Sequence, residues 1–389
     1  MNEKRALLWL WLKIALNDSS AKTYKLYSEF GDITKIYELG PSELAEIDYL
    51  NDNDKSAMLN KNISEANETL FLCVSEKIAI ITIDSEEYPE SLLNVYSPPC
   101  ILFVYGNFKE AFSKPLVTIV GTRSCNTYGF NTAKQISGAL AMCGCTIVTG
   151  IAEGIDMATY LSASQAGGSV ICVFPSGLLV GYCKQKLTYS GITYNGILLS
   201  EHLPKKTSSN FAYPERNRLL SGLSELTVVI QAPETSGALI TANLALEQGK
   251  DVYVVPGNID TNYSKGSNLL FKDGAYPVTS YQDILFPLVS KYGDVLTDRV
   301  TQSALERLET MSFDNEIKSK RSSIKKAAIE ALPENERKVF QVFDENPVSV
   351  DSIIDETDLS IAVVLASLSS LVTKDLIVKE NGNVYSIKI

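Results

Sequence analysis

The sequence predicts an α/β protein in which a doubly wound parallel sheet follows a small helical domain and precedes a winged helix. Apolar residues recur at helical spacing in residues 1–75, so this part is predicted to be helical. Short, β-branched apolar runs alternate with helical stretches between residues 114 and 290, as is typical of parallel strands buried on both faces. Residues 333–389 show the pattern of three helices and two strands that is typical of a winged helix-turn-helix domain.

The helical N-terminal domain, residues 1–75, is interrupted by Gly31 and Gly40, and Pro41 suits the first turn of a new helix. Domains of this kind can contain a helix–hairpin–helix motif, in which a glycine-rich hairpin contacts phosphate. At that place this chain has Asn17-Asp18-Ser19-Ser20, so we expect little DNA binding from the domain. Residues 76–113 are predicted to be a connecting segment with two short strands that packs on the core.

The central domain, residues 114–290, has apolar runs of four to seven residues that are predicted to be strands. They lie at residues 116–120, 146–149, 169–174, 196–200, 226–232 and 251–255. Helical patterns lie between them, for example at residues 129–143, 155–166 and 237–248. This alternation predicts a Rossmann-like domain, in which ligands bind at the carboxyl ends of the strands.

The C-terminal part begins with a polar, charged stretch, residues 291–332, which is predicted to be a linker. The winged helix-turn-helix, residues 333–389, carries ten acidic and five basic residues. Its third predicted helix has no charged residue from 360 to 373, whereas a helix that reads bases needs Arg, Lys, Asn or Gln. We therefore expect this domain to contact protein rather than to read DNA sequence.

The charge of the chain is unevenly distributed. The net charge is −11, and residues 29–90 alone carry 15 acidic residues against 4 lysines. Residues 182–222 contain six basic residues against two acidic ones, which are Lys184, Lys186, Lys205, Lys206, Arg216 and Arg218 against Glu201 and Glu215. A local positive patch of this kind can attract a polyanion even on an acidic protein.

The cysteines indicate a reducing compartment. There are seven, an odd number, and no Cys-x-x-Cys pair occurs, so neither a disulfide framework nor a zinc site is expected. Lys13 interrupts the apolar N-terminal run, which we interpret as an amphipathic helix rather than a signal peptide. We expect a cytoplasmic protein with no membrane span, no metal ion and no cofactor.

Glycine and hydroxyl residues follow four of the predicted strands. The first loop is Gly121-Thr122-Arg123-Ser124 and the second begins Gly150-Ile151-Ala152. The third contains Ser236-Gly237 and opens a helix, and the fourth runs from Pro256-Gly257 to Gly266-Ser267-Asn268. Each loop alone would suit a capped turn, but four at one sheet edge favour an anion site, where helix N-termini and backbone N–H groups bind phosphate.

The densest polar cluster is Tyr213-Pro214-Glu215-Arg216-Asn217-Arg218. Two arginines at i and i+2 do not share a helix face, so we expect one to point into the site and the other to pair with a carboxylate such as Glu201. Neither a Walker A pattern nor Gly-x-Gly-x-x-Gly is present, and the single histidine, His202, lacks a catalytic partner pattern. We expect no catalytic residue.

These loops, in this order, resemble those of the DNA-processing protein A (DprA/Smf) family. The matching stretches span about 160 residues and lie at residues 119–123, 149–156, 199–201, 214–218, 236–242, 255–257 and 266–270 with 274–275. The resemblance implies an extended Rossmann-like domain that binds single-stranded DNA, forms a homodimer through that domain and recruits the RecA recombinase. It also implies a role in natural transformation where cells are competent, with no defining catalytic activity.

Carried over by position, the resemblance implies that Arg123, Arg216, Asn217, Arg218, Ser236 and Gly237 line the DNA pocket, with Lys184 and Lys186 nearby. With the strand-end loops, the predicted DNA-binding set is Gly121, Thr122, Arg123, Ser124, Gly150, Ala152, Gly154, Lys184, Lys186, Arg216, Asn217, Arg218, Ser236, Gly237, Thr241, Gly257, Gly266 and Asn268. The chain departs from the family at Glu153, where arginine is usual, and at Tyr160, where histidine is usual. Its segment 177–184 is also shorter.

Two other functions are open at this stage. Related Rossmann-like enzymes of the lysine-decarboxylase-like (LOG) type cleave nucleoside monophosphates and carry a glutamate three residues after a motif threonine. Here Leu244 follows Thr241 at that spacing, so this carboxylate is absent. A nucleotide-sensing defence protein is a variant of the same alternative. A transcription regulator that acts through the winged helix is disfavoured by the uncharged third helix.

Overall fold

The structure, a computed structural model, comprises two compact units, Met1–Gln302 and Ser303–Ile389. The residues that it describes are 3–180, 196–209, 212–293, 295–296, 329, 332–343, 348–357, 359–374, 376–379 and 383–387. Most of the predicted linker, residues 291–332, and the predicted site residues Lys184 and Lys186 therefore lie outside the described residues.

The first unit begins with six helices, as the apolar spacing predicts. They are α1 (Glu3–Ala15), α2 (Ser20–Phe30), α3 (Ile33–Glu38), α4 (Pro41–Ala45), α5 (Asp52–Leu59) and α6 (Ser64–Ser75). Helix α1 buries Trp9, Leu10 and Leu12 against the other helices. The Ser19 side chain caps α2 and the Asp32 side chain caps α3.

A nine-stranded sheet follows. Its strands are β1 (Ile78–Thr82), β2 (Ile101–Tyr105), β3 (Leu116–Val120), β4 (Thr146–Thr149), β5 (Val170–Val173), β6 (Gly196–Ser200), β7 (Leu226–Val229), β8 (Asp251–Val254) and β9 (Tyr276–Pro277). The strand order is β1-β2-β6-β5-β4-β3-β7-β8-β9. Strands β3 to β9 pair in parallel. The connecting segment adds β2, which pairs antiparallel with β6, and β1 at the edge.

Helices cover both faces of this sheet, as expected for a doubly wound fold. They are a short 3-10 helix (Glu90–Asn94), α7 (Phe108–Phe112), α8 (Thr127–Met142), α9 (Ile155–Gln165), α10 (Ala212–Leu223), α11 (Gly237–Glu247), α12 (Lys265–Leu269), a second 3-10 helix (Leu270–Asp273) and α13 (Tyr281–Tyr292). The inner strands β3, β4, β5 and β7 are buried along their whole length, so their apolar sequences have no polar alternation.

The helical domain is joined to the sheet domain by a buried polar network. The Lys13 Nζ lies 2.9 Å from Asp18 Oδ1, and both side chains are almost fully buried. Asp18 Oδ2 lies 2.7 Å from the His202 Nδ1, and the Leu203 backbone N–H donates to Asp18 Oδ1 at 3.2 Å. Burial opposes ionisation of Asp18, but Lys13 and His202 hold its pKa below the usual value. The segment that could have been a DNA-binding hairpin is thus part of this interface.

The second unit is a winged helix. It contains α14 (Glu334–Val342), α15 (Val350–Thr357) and α16 (Ile361–Thr373), with a three-stranded sheet of β10 (Val348–Ser349), β11 (Ile377–Lys379) and β12 (Val384–Ile387). Val339, Phe340 and Leu368 lie in its separate apolar core. Helix α16 leaves Ile361 and Leu365 exposed, so the outer face of the uncharged third helix is apolar.

No single helix in the described ranges has the length and apolar composition to cross a bilayer. Helices α15 and α16, which are bent relative to each other, reach that length and apolar composition only when they are taken together.

We expect the Asp18→Ala substitution to lower the free energy of unfolding by about 3 kcal/mol, because it leaves the Lys13 ammonium buried without its carboxylate. The matched change Glu87→Ala breaks the exposed pair with Lys109, and we expect it to cost less than about 1 kcal/mol. Urea unfolding followed by the fluorescence of Trp9 and Trp11 measures both changes. Equal, small losses for the two variants would show that the buried network contributes nothing special.

Candidate nucleic-acid interface

A groove lies where the strand order reverses. The chain continues from β3 to its neighbour β4 on one side and later returns to place β7 on the other side. Open α/β sheets bind ligands at such a switch point. Here a cavity of about 370 Å³ forms between the loops after β3, β4 and β7 and the starts of α10 and α11. We call it the groove, and its lining includes Gly121, Thr122, Arg123, Ser124, Ala152, Asp156, Tyr213, Arg216, Asn217, Pro233, Ser236, Gly237, Ile240 and Thr241.

Glycines let the first two loops of the groove approach each other. A Cβ on Gly121 would lie 2.6 Å from the Ile155 side chain, so any larger residue would push α9 away. Gly154 has a φ of +78°, and a Cβ there would lie 2.4 Å from the Arg123 carbonyl oxygen. The Ile155 N–H donates to the Thr122 carbonyl at 3.2 Å. The positions of Thr122 and Arg123 therefore depend on the start of α9.

The start of α11 is open to the groove. The Ser236 side chain caps the helix by accepting from the Ala238 N–H at 3.3 Å. Nothing lies within 4 Å of the place that a Cβ on Gly237 would occupy, and the Thr241 hydroxyl lies one turn further along the lining. Backbone N–H groups and the positive end of the helix dipole favour an anion at such a place.

Arg216 lies at the base of the groove and is buried. Its Nη1 donates to the Gly150 carbonyl at 3.2 Å and to the Val173 carbonyl, while its Nε donates to Asn217 Oδ1 at 3.2 Å. A Cβ on Gly150 would lie 2.7 Å from both terminal nitrogens, so a side chain at this position would displace the guanidinium. Burial lowers the pKa of Arg216, and the nearby Asp156 carboxylate opposes this shift.

Arg123 differs from Arg216 in being exposed at the mouth of the groove. Its guanidinium carbon lies 5.5 Å from the centre of the Tyr213 ring, which is within the range of a cation–π contact. A guanidinium held over a ring keeps its edge free for bidentate contact with phosphate. Among the residues that the structure describes, Arg123 is thus the groove-lining cation that is exposed to an entering ligand.

A second cavity of about 380 Å³ adjoins the groove. The two share Arg123, Ala152, Tyr213 and Arg216, while Gly150, Ile151, Glu153, Phe174, Pro175, Ser176 and Ser208 line the second cavity but not the groove. Ile151 is buried and has a φ of +52°, a left-handed conformation that is unfavourable for a β-branched residue. Strain of this kind clusters at functional sites.

Asp156 is a buried carboxylate on the groove wall. Burial raises its pKa to about 6, although Arg216 and the N–H groups of Ala152, Gly121 and Gly150 favour the charged form. The carboxylate can therefore change charge near neutral pH, directly beside Arg216. Glu201, another buried carboxylate, stays ionised, because Arg218 and His202 lower its pKa against the effect of burial.

The structure brings most of the predicted site residues to the two cavities. Lining one or both of them are Gly121, Thr122, Arg123, Ser124, Gly150, Ala152, Arg216, Asn217, Ser236, Gly237 and Thr241. As expected, the two arginines diverge: Arg218 Nη2 lies 2.5 Å from Glu201 Oε2, and Ser20 Oγ donates to the same oxygen at 2.5 Å. The prediction that Arg218 lines the pocket is therefore wrong, because α10 directs its side chain to Glu201 and not into either cavity.

Four predicted glycine and asparagine positions are structural supports rather than lining residues. Gly154 belongs to this group, because a Cβ there would meet the Arg123 carbonyl oxygen. Gly257 and Asn268 are joined by two hydrogen bonds, of 2.8 and 3.2 Å, between the Asn268 amide and the Gly257 backbone. A Cβ on Gly266 would lie 2.6 Å from the carbonyl of Pro233, which lines the groove. These residues support the groove wall by close backbone packing, which the sequence pattern alone does not separate from ligand contact.

Sequence reasoning missed Tyr213, Asp156 and Ile240 as lining residues. Tyr213 lies in the polar cluster at residues 213–218, and Asp156 lies in the family-like stretch at residues 149–156, close to the residues that were predicted to bind DNA. An aromatic residue directly before a proline and two arginines was the available signal, since single-stranded nucleic acids bind on aromatic rings. Ile240 had no such signal, because an apolar residue on α11 would ordinarily belong to the core.

The comparisons with known proteins agree with this geometry. Residues 79–288 match the family model described as DNA recombination-mediator protein A. The chain belongs to this family. Residues 324–383 match the DprA winged helix domain, which confirms that the C-terminal part of the chain contains a winged helix. The predicted resemblance and the predicted fold class are thereby confirmed, and DNA recombination is the process in which family members act.

Individual members of the family are also similar to this chain. The DNA processing protein DprA of Bacillus subtilis is 37% identical over 208 residues, which are 53% of this chain and 70% of that protein. The corresponding protein of Streptococcus pneumoniae is 36% identical over 211 residues, 54% of this chain and 74% of that protein. The X-ray structure of DprA from Streptococcus pneumoniae aligns with a TM-score of 0.61 and 30% identity, covering 71% of this chain and 95% of that one.

We expect Asp156→Asn to remove a pH dependence of stability. Between about pH 4 and 6 the native Asp156 keeps a proton that the unfolded chain has lost, so its stabilising contribution disappears as pH rises through about 6. From pH 5 to pH 8 the native chain should lose roughly 1–2 kcal/mol more unfolding free energy than the variant. Urea unfolding at both pH values measures this, with the exposed Asp260→Asn as control. If native chain and variant lose stability in parallel, Asp156 does not titrate in this range.

Proposed function

We propose that the protein binds single-stranded DNA in the groove and acts as a recombination mediator. The observation that carries the proposal is the exposed Arg123 guanidinium beside the open start of α11, with Arg216 buried behind it. Together these groups offer charge-assisted and backbone hydrogen bonds to phosphate oxygens. The family's description as a recombination mediator supports the same conclusion.

The shape and lining of the groove favour a single strand. Tyr213, Leu220 and Ile240 supply aromatic and apolar surface between the phosphate-binding groups. Unpaired bases can stack on such surface, whereas the bases of a duplex are already stacked and enclosed by the two backbones. Because the polar groups of the groove suit phosphate rather than base edges, sequence preference within the groove itself is weak.

We propose that the protein acts by binding and not by catalysis, without a cofactor. The two buried ionisable side chains at the groove are engaged by the fold, Arg216 with backbone carbonyls and Asp156 with backbone N–H groups. Within the described part of the chain, no three His, Cys, Asp or Glu side chains are grouped to hold a metal ion. Release of free base from a nucleoside monophosphate would contradict this proposal.

We further propose that the protein works in the cytoplasm, delivers bound DNA to a RecA-class recombinase and contributes to natural transformation in competent cells. A mediator of recombination must pass its DNA to the protein that pairs strands, and that step occurs where the chromosome is. The expected result is faster RecA filament formation on single strands already covered by a single-strand-binding protein. If the purified protein leaves the rate of RecA filament formation unchanged, this part of the proposal fails.

We also propose a homodimer through the Rossmann-like domain. The domain exposes apolar side chains, those of Tyr276 on the edge strand β9 and of Phe286 and Val289 on α13, the helix that follows β9 in the chain. Exposed apolar residues at a sheet edge favour association with another chain. We propose that this other chain is a second copy of the same protein. The molar mass in solution tests this proposal.

We expect Arg123→Ala to weaken binding of a labelled thymine oligonucleotide about tenfold or more, because it removes one charge-assisted contact with phosphate. The slope of the logarithm of the binding constant against the logarithm of the salt concentration should become shallower by about one, as expected for the loss of one phosphate contact. Fluorescence anisotropy across a salt series measures both, with duplex DNA as competitor. The control Lys35→Ala removes an exposed cation from the helical domain, away from the groove. If both variants bind like the native chain, the groove is not the DNA site.

For the dimer, we expect Phe286→Glu to convert the protein to a monomer, since the new carboxylate would be buried in an apolar contact. Light scattering coupled to size-exclusion chromatography measures the molar mass. Phe71→Glu is the matched control, because Phe71 is also a large exposed apolar residue but lies on α6 of the helical domain. A native monomer, or dissociation by the control alone, would overturn this proposal.

A further inference from the structure

The second cavity differs in chemistry from the groove that it adjoins. Its walls include the apolar side chains of Ile151, Phe174 and Pro175 and the ring of Tyr213, and its carboxylate is that of the exposed Glu153, whereas the carboxylate of the groove is that of the buried Asp156. With a volume of about 380 Å³ it lies in the size range of small-ligand sites. Apolar walls with a few polar groups are typical of pockets for flat organic ligands.

Phosphate fits this cavity less well than it fits the groove. The Glu153 carboxylate would repel a phosphate group, and the open N-terminus of α11 lines the groove and not the second cavity. A nucleobase is uncharged and has two flat faces that suit an aromatic ring and apolar side chains. The second cavity is therefore suited to a base, and the groove to the backbone.

The two cavities are joined at the residues that would hold a phosphate. Arg123, Tyr213 and Arg216 line both, and the Arg123 guanidinium lies over the Tyr213 ring. A phosphate on Arg123 would therefore leave the base of its own nucleotide next to the second cavity. The Tyr213 ring is then available as a face for stacking.

The conformation of the adjoining loop limits where the carboxylate can lie. Ile151 is buried in a left-handed conformation, which persists only where the surrounding structure imposes it. The Ala152 N–H donates to Asp156 Oδ2 at 3.5 Å, which links this loop to the first turn of α9. Glu153 thus extends from a constrained loop rather than from a freely moving one.

We propose that the second cavity is a base subsite that favours guanine, with Glu153 as the residue that determines this preference. The inference rests on the proposed binding of single-stranded DNA. An ionised carboxylate accepts hydrogen bonds but donates none. Guanine presents two adjacent donors, N1–H and N2–H, to the two carboxylate oxygens, whereas the carbonyl oxygens of thymine face a carboxylate unfavourably.

The test uses thymine 20-mers that carry isolated guanines, or hypoxanthine at the same positions. Hypoxanthine lacks the N2 amino group and is otherwise guanine, so the comparison removes one donor. We expect the native chain to bind the guanine oligonucleotide about tenfold more tightly, a preference of the size that a bidentate contact provides. Plain thymine oligonucleotide should bind no better than the hypoxanthine one. Fluorescence anisotropy at constant salt measures all three affinities.

Two variants with the same change of charge identify the cause. Glu153→Ala should reduce the guanine preference to less than about twofold, because it removes the acceptor of the two guanine hydrogen bonds and so weakens binding of the guanine oligonucleotide. It should slightly improve binding of the thymine and hypoxanthine oligonucleotides, because it removes a negative charge from the site. Glu234→Ala removes an exposed carboxylate at the rim of the groove, between the lining residues Pro233 and Thr235. Glu234→Ala should slightly improve binding of all three oligonucleotides and keep the guanine preference. Thermal unfolding checks that both variants are folded.

The outcomes separate this inference from the proposed function. Tight binding of all three oligonucleotides with equal affinity would overturn the guanine subsite and leave DNA binding in place. A guanine preference that survives in Glu153→Ala would overturn the role of Glu153. A chain that binds none of the oligonucleotides at low salt would overturn the proposed function and this inference with it.

Discussion

The buried guanidinium of Arg216 is the interaction on which the site depends. It reaches from α10 to the carbonyl of Gly150, which follows β4, and to the carbonyl of Val173, the last residue of β5. A buried arginine is stable only when its donors are satisfied, so the ends of both strands are tied to one helix. Gly150 is part of the same constraint, since a side chain there would displace the guanidinium.

The structure also explains how an acidic chain can present a site for a polyanion. Two of its buried carboxylates, Asp18 and Glu201, are paired with Lys13, His202, Arg218 and the Ser20 hydroxyl at the interface between the helical and sheet domains. Their charge is neutralised locally and is not directed at the groove. The net charge of −11 therefore says little about the field where a ligand would bind, which Arg123 and the start of α11 determine.

Much of the site could be predicted because its loops follow buried strands. Gly121, Gly150 and Ser236 could be placed at one edge of a sheet from the order of apolar runs alone. The roles of neighbouring residues could not be separated in the same way. Arg216 and Arg218 are chemically identical and two positions apart, yet one lines the groove and the other binds Glu201. That difference arises from the rotation of α10 about its axis, which is set by packing against residues distant in the chain and cannot be read from the local sequence.

The sequence by itself determined the order of helices and strands, the doubly wound class of the sheet and the family, because apolar periodicity and strand-end glycines are local properties of the chain. The tertiary structure decided which polar groups face the groove and which are used internally. It also decided that Asn17 to Ser20 form a domain interface, that Gly257 and Asn268 brace a wall, and that Glu153 lies at a second cavity. These outcomes depend on distances between residues far apart in sequence, which no local pattern specifies.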